Sequence, residues 1–267
     1  MTEFNVARPG HVLRGQSSGE GPAILLLHGL SATRRYVVHG STALERAGHR
    51  VIAIDARGHG ESDPAPERDG YSYSDYVADA NAVLDAADVA TVAVVGQSMG
   101  AAAAVALALA HPDRVNALVL ITPAHLGSPS ANLGRWDALA EGLEHGGPAG
   151  FLAALGSPTN DERYNETVRT VIAQRLARHR HPEAVADALR ATPRSTAFDG
   201  IDALAEIGAP TLVVGSRDGP DPDHPLAVAN TWAKRIPDAA FIIEGPDESP
   251  LAWRGGSLSA AILDFLS

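Results

Sequence analysis

The stretch Thr91-Val92-Ala93-Val94-Val95-Gly96-Gln97-Ser98-Met99-Gly100, followed by ten apolar residues from Ala101 to Ala110, decides the fold. It reads as a strand, a sharp turn and a helix. The G-x-S-x-G spacing lets a serine stand at a strained strand-to-helix corner with its hydroxyl exposed above a sheet. Gly96 and Gly100 supply the room. At the head of the following helix the free backbone N–H groups face a developing oxyanion, so the backbone of Met99 is a candidate donor. The alanines let that helix lie close to the sheet.

Working outward, Ala23 to Leu27, Arg50 to Ala56 and Val115 to Ile121 are apolar runs of the kind that form strands buried on both faces. A hairpin pattern over Phe4–Ala7 and His11–Gly15 precedes them. Helical patterns fall between, over 36–47 and from about Ser74, a candidate N-cap, to Ala87. This alternation predicts an α/β fold with a mostly parallel, doubly wound sheet. Ligands in such sheets bind beyond the carboxyl ends of the strands, where His28-Gly29 and Ser98 fall.

From Thr122 to about Ile207 the rhythm breaks into helical segments over 131–143, 149–155, 161–178 and 182–190. We read residues 125–204 as a helical cap inserted into a core built from 1–124 and 205–267. The sheet resumes at Pro210–Gly215, a helix covers Leu226–Arg235, and a last strand (239–244) and helix (257–265) close the chain.

Composition narrows the functional classes. A hydrophobic fraction of 45% with 20% charged residues is that of an ordinary globular protein. A net charge of −11 disfavours nucleic acid and anionic membrane as partners. The longest apolar stretch, Ala101 to Ala110, is well short of the roughly 20 residues that span a bilayer. Zero cysteines exclude disulfides, thiolate metal sites and a cysteine nucleophile. The acidic opening Met1-Thr2-Glu3 does not have the form of a secretory signal, so a cytoplasmic location is expected. Neither a metal nor an organic cofactor is implied. The carboxylates Asp218, Asp221 and Asp223 do not have the spacing of a calcium loop.

Over nearly its whole length the chain resembles the α/β-hydrolase superfamily. Three motifs carry the resemblance: His28-Gly29, then Asp55-Ala56-Arg57-Gly58-His59-Gly60-Glu61-Ser62, then Gly96 to Gly100. The resemblance implies a serine nucleophile at Ser98, an oxyanion hole from the N–H groups of Leu30 and Met99, an acid after the next-to-last core strand and a histidine after the last. Arg57, His59 and His28 are read as braces for the loops and not as catalysts.

For the acid, Gly215-Ser216-Arg217-Asp218 fits the pattern, and strand-end position favours Asp218, with Asp221 and Asp223 competing on the same loop. The base is the departure. Where the family carries histidine, this chain reads Gly245-Pro246-Asp247-Glu248, and no histidine follows His224. Three accounts stay open. His224 reaches Ser98, with Glu248 orienting it; or Glu248, its pKa raised by a neighbouring carboxylate, is itself the base; or acid-base chemistry is lost. His125 is an outside candidate for the base. Trp136, Phe151, Tyr164 and Phe198 are candidates for an apolar lining.

The function expected is a serine hydrolase acting on a small ester, lactone or related acyl compound through an acyl-enzyme on Ser98. The alternatives are a non-catalytic small-molecule binder of the same fold, or a cofactor-independent lyase or oxygenase.

Overall fold

A computed structural model describes all 267 residues. Eight strands build one sheet: β1 (Thr2–Arg8), β2 (His11–Ser18), β3 (Ala23–Leu27), β4 (Arg50–Asp55), β5 (Val92–Gln97), β6 (Val115–Ile121), β7 (Thr211–Val214) and β8 (Ala240–Ile242). Their spatial order is β1-β2-β4-β3-β5-β6-β7-β8. The first two strands join antiparallel, and every pairing from β4 and β3 onward is parallel.

The central strands are apolar through most of their length because both faces are covered. Leu25, Leu27, Val92 and Val94 face α2 (Tyr73–Ala86), α3 (Met99–Ala110) and α7 (Leu226–Arg235), in one cluster with Val83, Leu107 and Trp232. Their alternate neighbours Ile24, Leu26, Ala93 and Val95 pack with Leu44 of α1 (Ala43–Arg46) and Leu258 and Ile262 of α8 (Gly255–Leu266). At roughly 1.5–3 kcal/mol for each fully buried aliphatic side chain, these two layers dominate the stability of the core.

Between β6 and β7 the chain forms only helices: α4 (Leu133–Leu155), α5 (Glu162–Leu176) and α6 (Pro182–Ala191), with short 3-10 turns after them. They hold together through their own apolar cluster, which includes Leu139, Leu143, Phe151, Ile172 and Leu189. The two helices expected over 131–155 run on from one another as α4, kinked where Gly147 takes φ 56° and ψ −149° ahead of Pro148. A helix interior accepts neither, which is why the sequence pattern divides there.

Other boundaries move as well. The helix expected over 36–47 shrinks to α1 and a 3-10 turn over Arg34–Tyr36, because His39 and Gly40 adopt φ 49° and 73° between them. The N-cap of α2 is Ser72 and not Ser74; its hydroxyl accepts the Asp75 N–H while the Asp75 carboxylate takes the Ser72 N–H. Strand β8 ends at Ile242, two residues before the expected Glu244. No helix is long and apolar enough to cross a membrane.

Candidate active site

Ser98 sits between β5 and α3 with φ 54° and ψ −112°, a conformation costing on the order of 1–3 kcal/mol for a residue with a side chain. Its neighbours have to be glycine. A Cβ on Gly96 would lie 2.2 Å from the Gly100 carbonyl oxygen, and one on Gly100 would lie 2.1 Å from that of Leu27. The Ser98 N–H donates to the Ile121 carbonyl at 2.9 Å, which ties the corner to the end of β6.

The loop after β3 packs directly on the serine: a Cβ on Gly29 would come within 3.3 Å of Ser98 Cβ. Next along that loop, the Leu30 N–H donates to no protein group. The Met99 N–H, first in α3, is beyond the reach of any helical carbonyl. Two unspent donors therefore flank the hydroxyl.

Three buried histidines hold this loop. His28 donates from Nδ1 to the Gly29 carbonyl (2.8 Å) and accepts the Ala56 N–H at Nε2 (2.9 Å). His59 donates from Nδ1 to the Arg57 carbonyl (2.9 Å) and faces the Ser31 N–H with Nε2 (3.4 Å). His179, from just beyond α5, accepts the Gly60 N–H (2.8 Å) and donates to the Ser31 carbonyl (3.1 Å). Each ring gives one proton and receives another, which only neutral imidazole can do. Burial pushes His28 down to about 4 and His59 and His179 to about 3. Arg57 braces the same region through Asp79 (2.7 and 2.8 Å) and the Gly70 carbonyl (2.9 Å).

On the loop after β7, His224 Nδ1 lies 2.7 Å from Asp221 Oδ1. An Nδ1–H donated to that carboxylate leaves Nε2 as a free acceptor. Burial alone would lower the His224 pKa, but the charge and hydrogen bond of Asp221 outweigh it, and the net shift is upward. His224 and Ser98 wall one cavity of about 290 Å³, together with Asp221 and Arg175. A second cavity, of about 280 Å³ and lined by Trp136, His125 and Tyr73, shares Ser98, Leu30, Asp223 and His224 with the first. The serine thus stands between two clefts. A larger hollow of about 540 Å³ beside β1 and the end of α2 contains neither nucleophile nor histidine.

Two expected site residues do not join this group. The Asp218 carboxylate accepts the Leu226 N–H at 2.7 Å, satisfying an unpaired donor at the start of α7, and the pairing with histidine goes to Asp221 three residues on. Glu248 turns outward, where it is more than half exposed and accepts from Arg254 at 2.9 Å. Glu248 lines neither cleft. The ring of His125 enters the second cleft, but its Nε2 accepts the Ala197 N–H at 3.1 Å, so that nitrogen cannot take a serine proton. Of the four aromatic candidates only Trp136 reaches a cleft; Phe151 and Phe198 are core, and Tyr164 packs edge-on against Trp253, which lines the first cleft.

Glu244 escaped the sequence reading. It is buried, accepting the Arg217 N–H at 2.7 Å and facing the Leu251 N–H at 3.5 Å, and so ties the acid-bearing loop to the segment after β8. A charged residue closing an apolar strand was the available signal.

A β-sheet of this order, with a strained serine at its carboxyl edge and helices inserted after β6, defines the α/β-hydrolase class. Residues 22–248 match the family model described as alpha/beta hydrolase fold, and the chain belongs to that family. It is 35% identical over 260 residues to a putative carbamate hydrolase, RutD, of Variovorax paradoxus, covering 93% of this chain and 92% of that one. A 2-hydroxy-6-oxononadienedioate/2-hydroxy-6-oxononatrienedioate hydrolase of Pseudomonas putida is 33% identical over 263 residues, covering 93% and 89%. Among solved structures, the enol-lactonase of Burkholderia xenovorans LB400 superposes with a TM-score of 0.79 at 25% identity, over 98% of this chain and 99% of that one.

Proposed function

We propose that the protein is a serine hydrolase of small esters or lactones whose general base is His224, oriented by Asp221. Ser98 Oγ attacks the substrate carbonyl as its proton passes to His224 Nε2. The oxyanion is held by the Leu30 and Met99 N–H groups; removing one donor of such a pair typically costs about 10²–10³ in rate. Collapse of the tetrahedral intermediate returns the proton to the leaving alkoxide and leaves an acyl-enzyme. Water, deprotonated by the same imidazole, then releases the acid.

One observation carries the reading: the 2.7 Å His224–Asp221 contact on the wall of the cleft that holds Ser98. It supplies a base from the loop after β7, where the chain has no histidine after β8. The relatives named as a putative carbamate hydrolase and an enol-lactonase support the substrate class.

The test is turnover of p-nitrophenyl acetate by three variants. Ser98→Ala and His224→Ala are expected to lose at least about a thousandfold in kcat/KM, and Glu248→Ala to stay within about threefold of the parent. Full activity in His224→Ala, or loss of it in Glu248→Ala, overturns the assignment. Stoichiometric labelling of Ser98 by an organophosphonate separates an enzyme from a binding protein of the same fold.

A further inference from the structure

Arg175 is the one guanidinium in the wall of the cleft that Ser98, Asp221 and His224 share. It projects from the last turn of α5 and is paired with no acid: no carboxylate lies within 4.0 Å of it. Its only hydrogen bond runs from Nη2 to the Ser31 hydroxyl at 3.2 Å, and its Nε is buried without a partner. The two acids on the same wall are already engaged, Asp221 by His224 and Asp223 by Arg135, each at 2.7 Å. A half-buried guanidinium left this way carries a desolvation cost that the protein offsets only in part. Burial accordingly lowers Arg175 from its usual value, and the more distant Tyr36, Asp221 and Asp223 restore only part of it.

We propose that Arg175 binds a carboxylate on the substrate, so that the preferred substrates are small acyl compounds with an anionic end. The planar fork of a guanidinium matches a carboxylate in two parallel hydrogen bonds, and the Nη pair, of which only Nη2 is engaged and by a single acceptor, offers that geometry. A singly charged group fits better than a phosphate dianion because Asp221 and Asp223 stand on the same wall and repel a second negative charge. The same wall carries Val168, Val171, Ile172 and Trp253, available to the chain between carboxylate and scissile carbonyl. A cleft of about 290 Å³ holds only a short chain of this kind. The proposal rests on the hydrolase reading for the reaction, but not for the binding.

Two measurements test it. The first compares kcat/KM for mono-p-nitrophenyl glutarate with that for its neutral methyl ester. The parent enzyme is expected to prefer the acid by about ten- to a hundredfold, Arg175→Met to bring the ratio close to one, and Arg175→Lys to recover part of it. Arg178→Met removes an exposed charge one turn away and should leave the ratio as it was. The second is calorimetric titration of glutarate into Ser98→Ala, with binding expected to weaken at least tenfold when Arg175→Met is added. Equal losses on both esters in Arg175→Met would make the residue a brace for the Ser31 loop and overturn the proposal, as would a preference that survives the change. If the parent turns over both esters equally and glutarate does not bind, the carboxylate site falls and the hydrolase stands. If glutarate binds through Arg175 but neither ester is turned over, the reverse holds. Inorganic phosphate that binds Ser98→Ala more tightly than glutarate would replace the carboxylate by a phosphate.

Discussion

Ser98 combines a reactive hydroxyl with a backbone that a side-chain-bearing residue adopts at a cost, and the two can be separated by substitution. Ser98→Gly and Ser98→Ala both remove the hydroxyl, but only glycine relaxes φ 54°. Urea unfolding should find the glycine variant more stable than the alanine variant by roughly 1 kcal/mol. His224 gives a second residue-scale prediction. Its pKa is raised by Asp221, so the acid limb of kcat/KM is expected above the ordinary imidazole value of about 6.5. Asp221→Asn should move that limb to lower pH and reduce kcat by up to about 10⁴, because the imidazole loses the partner that fixes its tautomer. Part of the proposed site was legible in the sequence: Ser98 and the Met99 N–H follow from the corner, Leu30 enters only through the family resemblance, and His224 was weighed as a displaced base. The choice among Asp218, Asp221 and Asp223 was not, since strand-end position says nothing about which carboxylate a helix start will claim. Glu248 misled because it stands at the right count from β8, and counting cannot tell that Arg254 draws it outward.

At the scale of elements, the loop from β7 to α7 is held at both ends by acids that never touch the imidazole. Asp218 accepts the first N–H of α7, and Glu244 accepts the N–H of Arg217. Asp218→Ala is expected to cost about 1 kcal/mol of stability, the usual worth of a helix-start acceptor, and to reduce turnover far less than Asp221→Asn. Thermal melts and esterase rates on the same two variants check it. Strands were the readable elements, because a sheet covered on both faces demands unbroken apolar runs. Helix ends were less so. The left-handed pair His39-Gly40 breaks a helix that hydrophobic spacing would continue, and Ser74 was read as the N-cap although it is Ser72 that has its acid three residues on.

At the scale of the molecule, the helical insertion and the core meet at His179, His28 and His59, whose rings lie 5.2 to 5.6 Å apart in sequence of contact. All three are neutral in the folded state, with pKa values held near 3 to 4, whereas the unfolded chain titrates near 6.5. Between those limits the unfolded state binds more protons, so stability falls as pH falls. The upper bound is about 1.4 kcal/mol per histidine for each unit below 6.5. His224 contributes with the opposite sign, its share being present at low pH and lost as pH rises through its raised value. Chemical denaturation from pH 7 to 4.5 should show the decline, and His179→Gln should make it shallower. The placement of Ser98 between two clefts has a kinetic consequence of its own. Once one lobe retains the acyl group, the other is vacated by the departing alcohol and open to whichever hydroxyl arrives next. Added methanol or ethanol should therefore compete with water for the same intermediate, yielding transesterified product in proportion to its concentration.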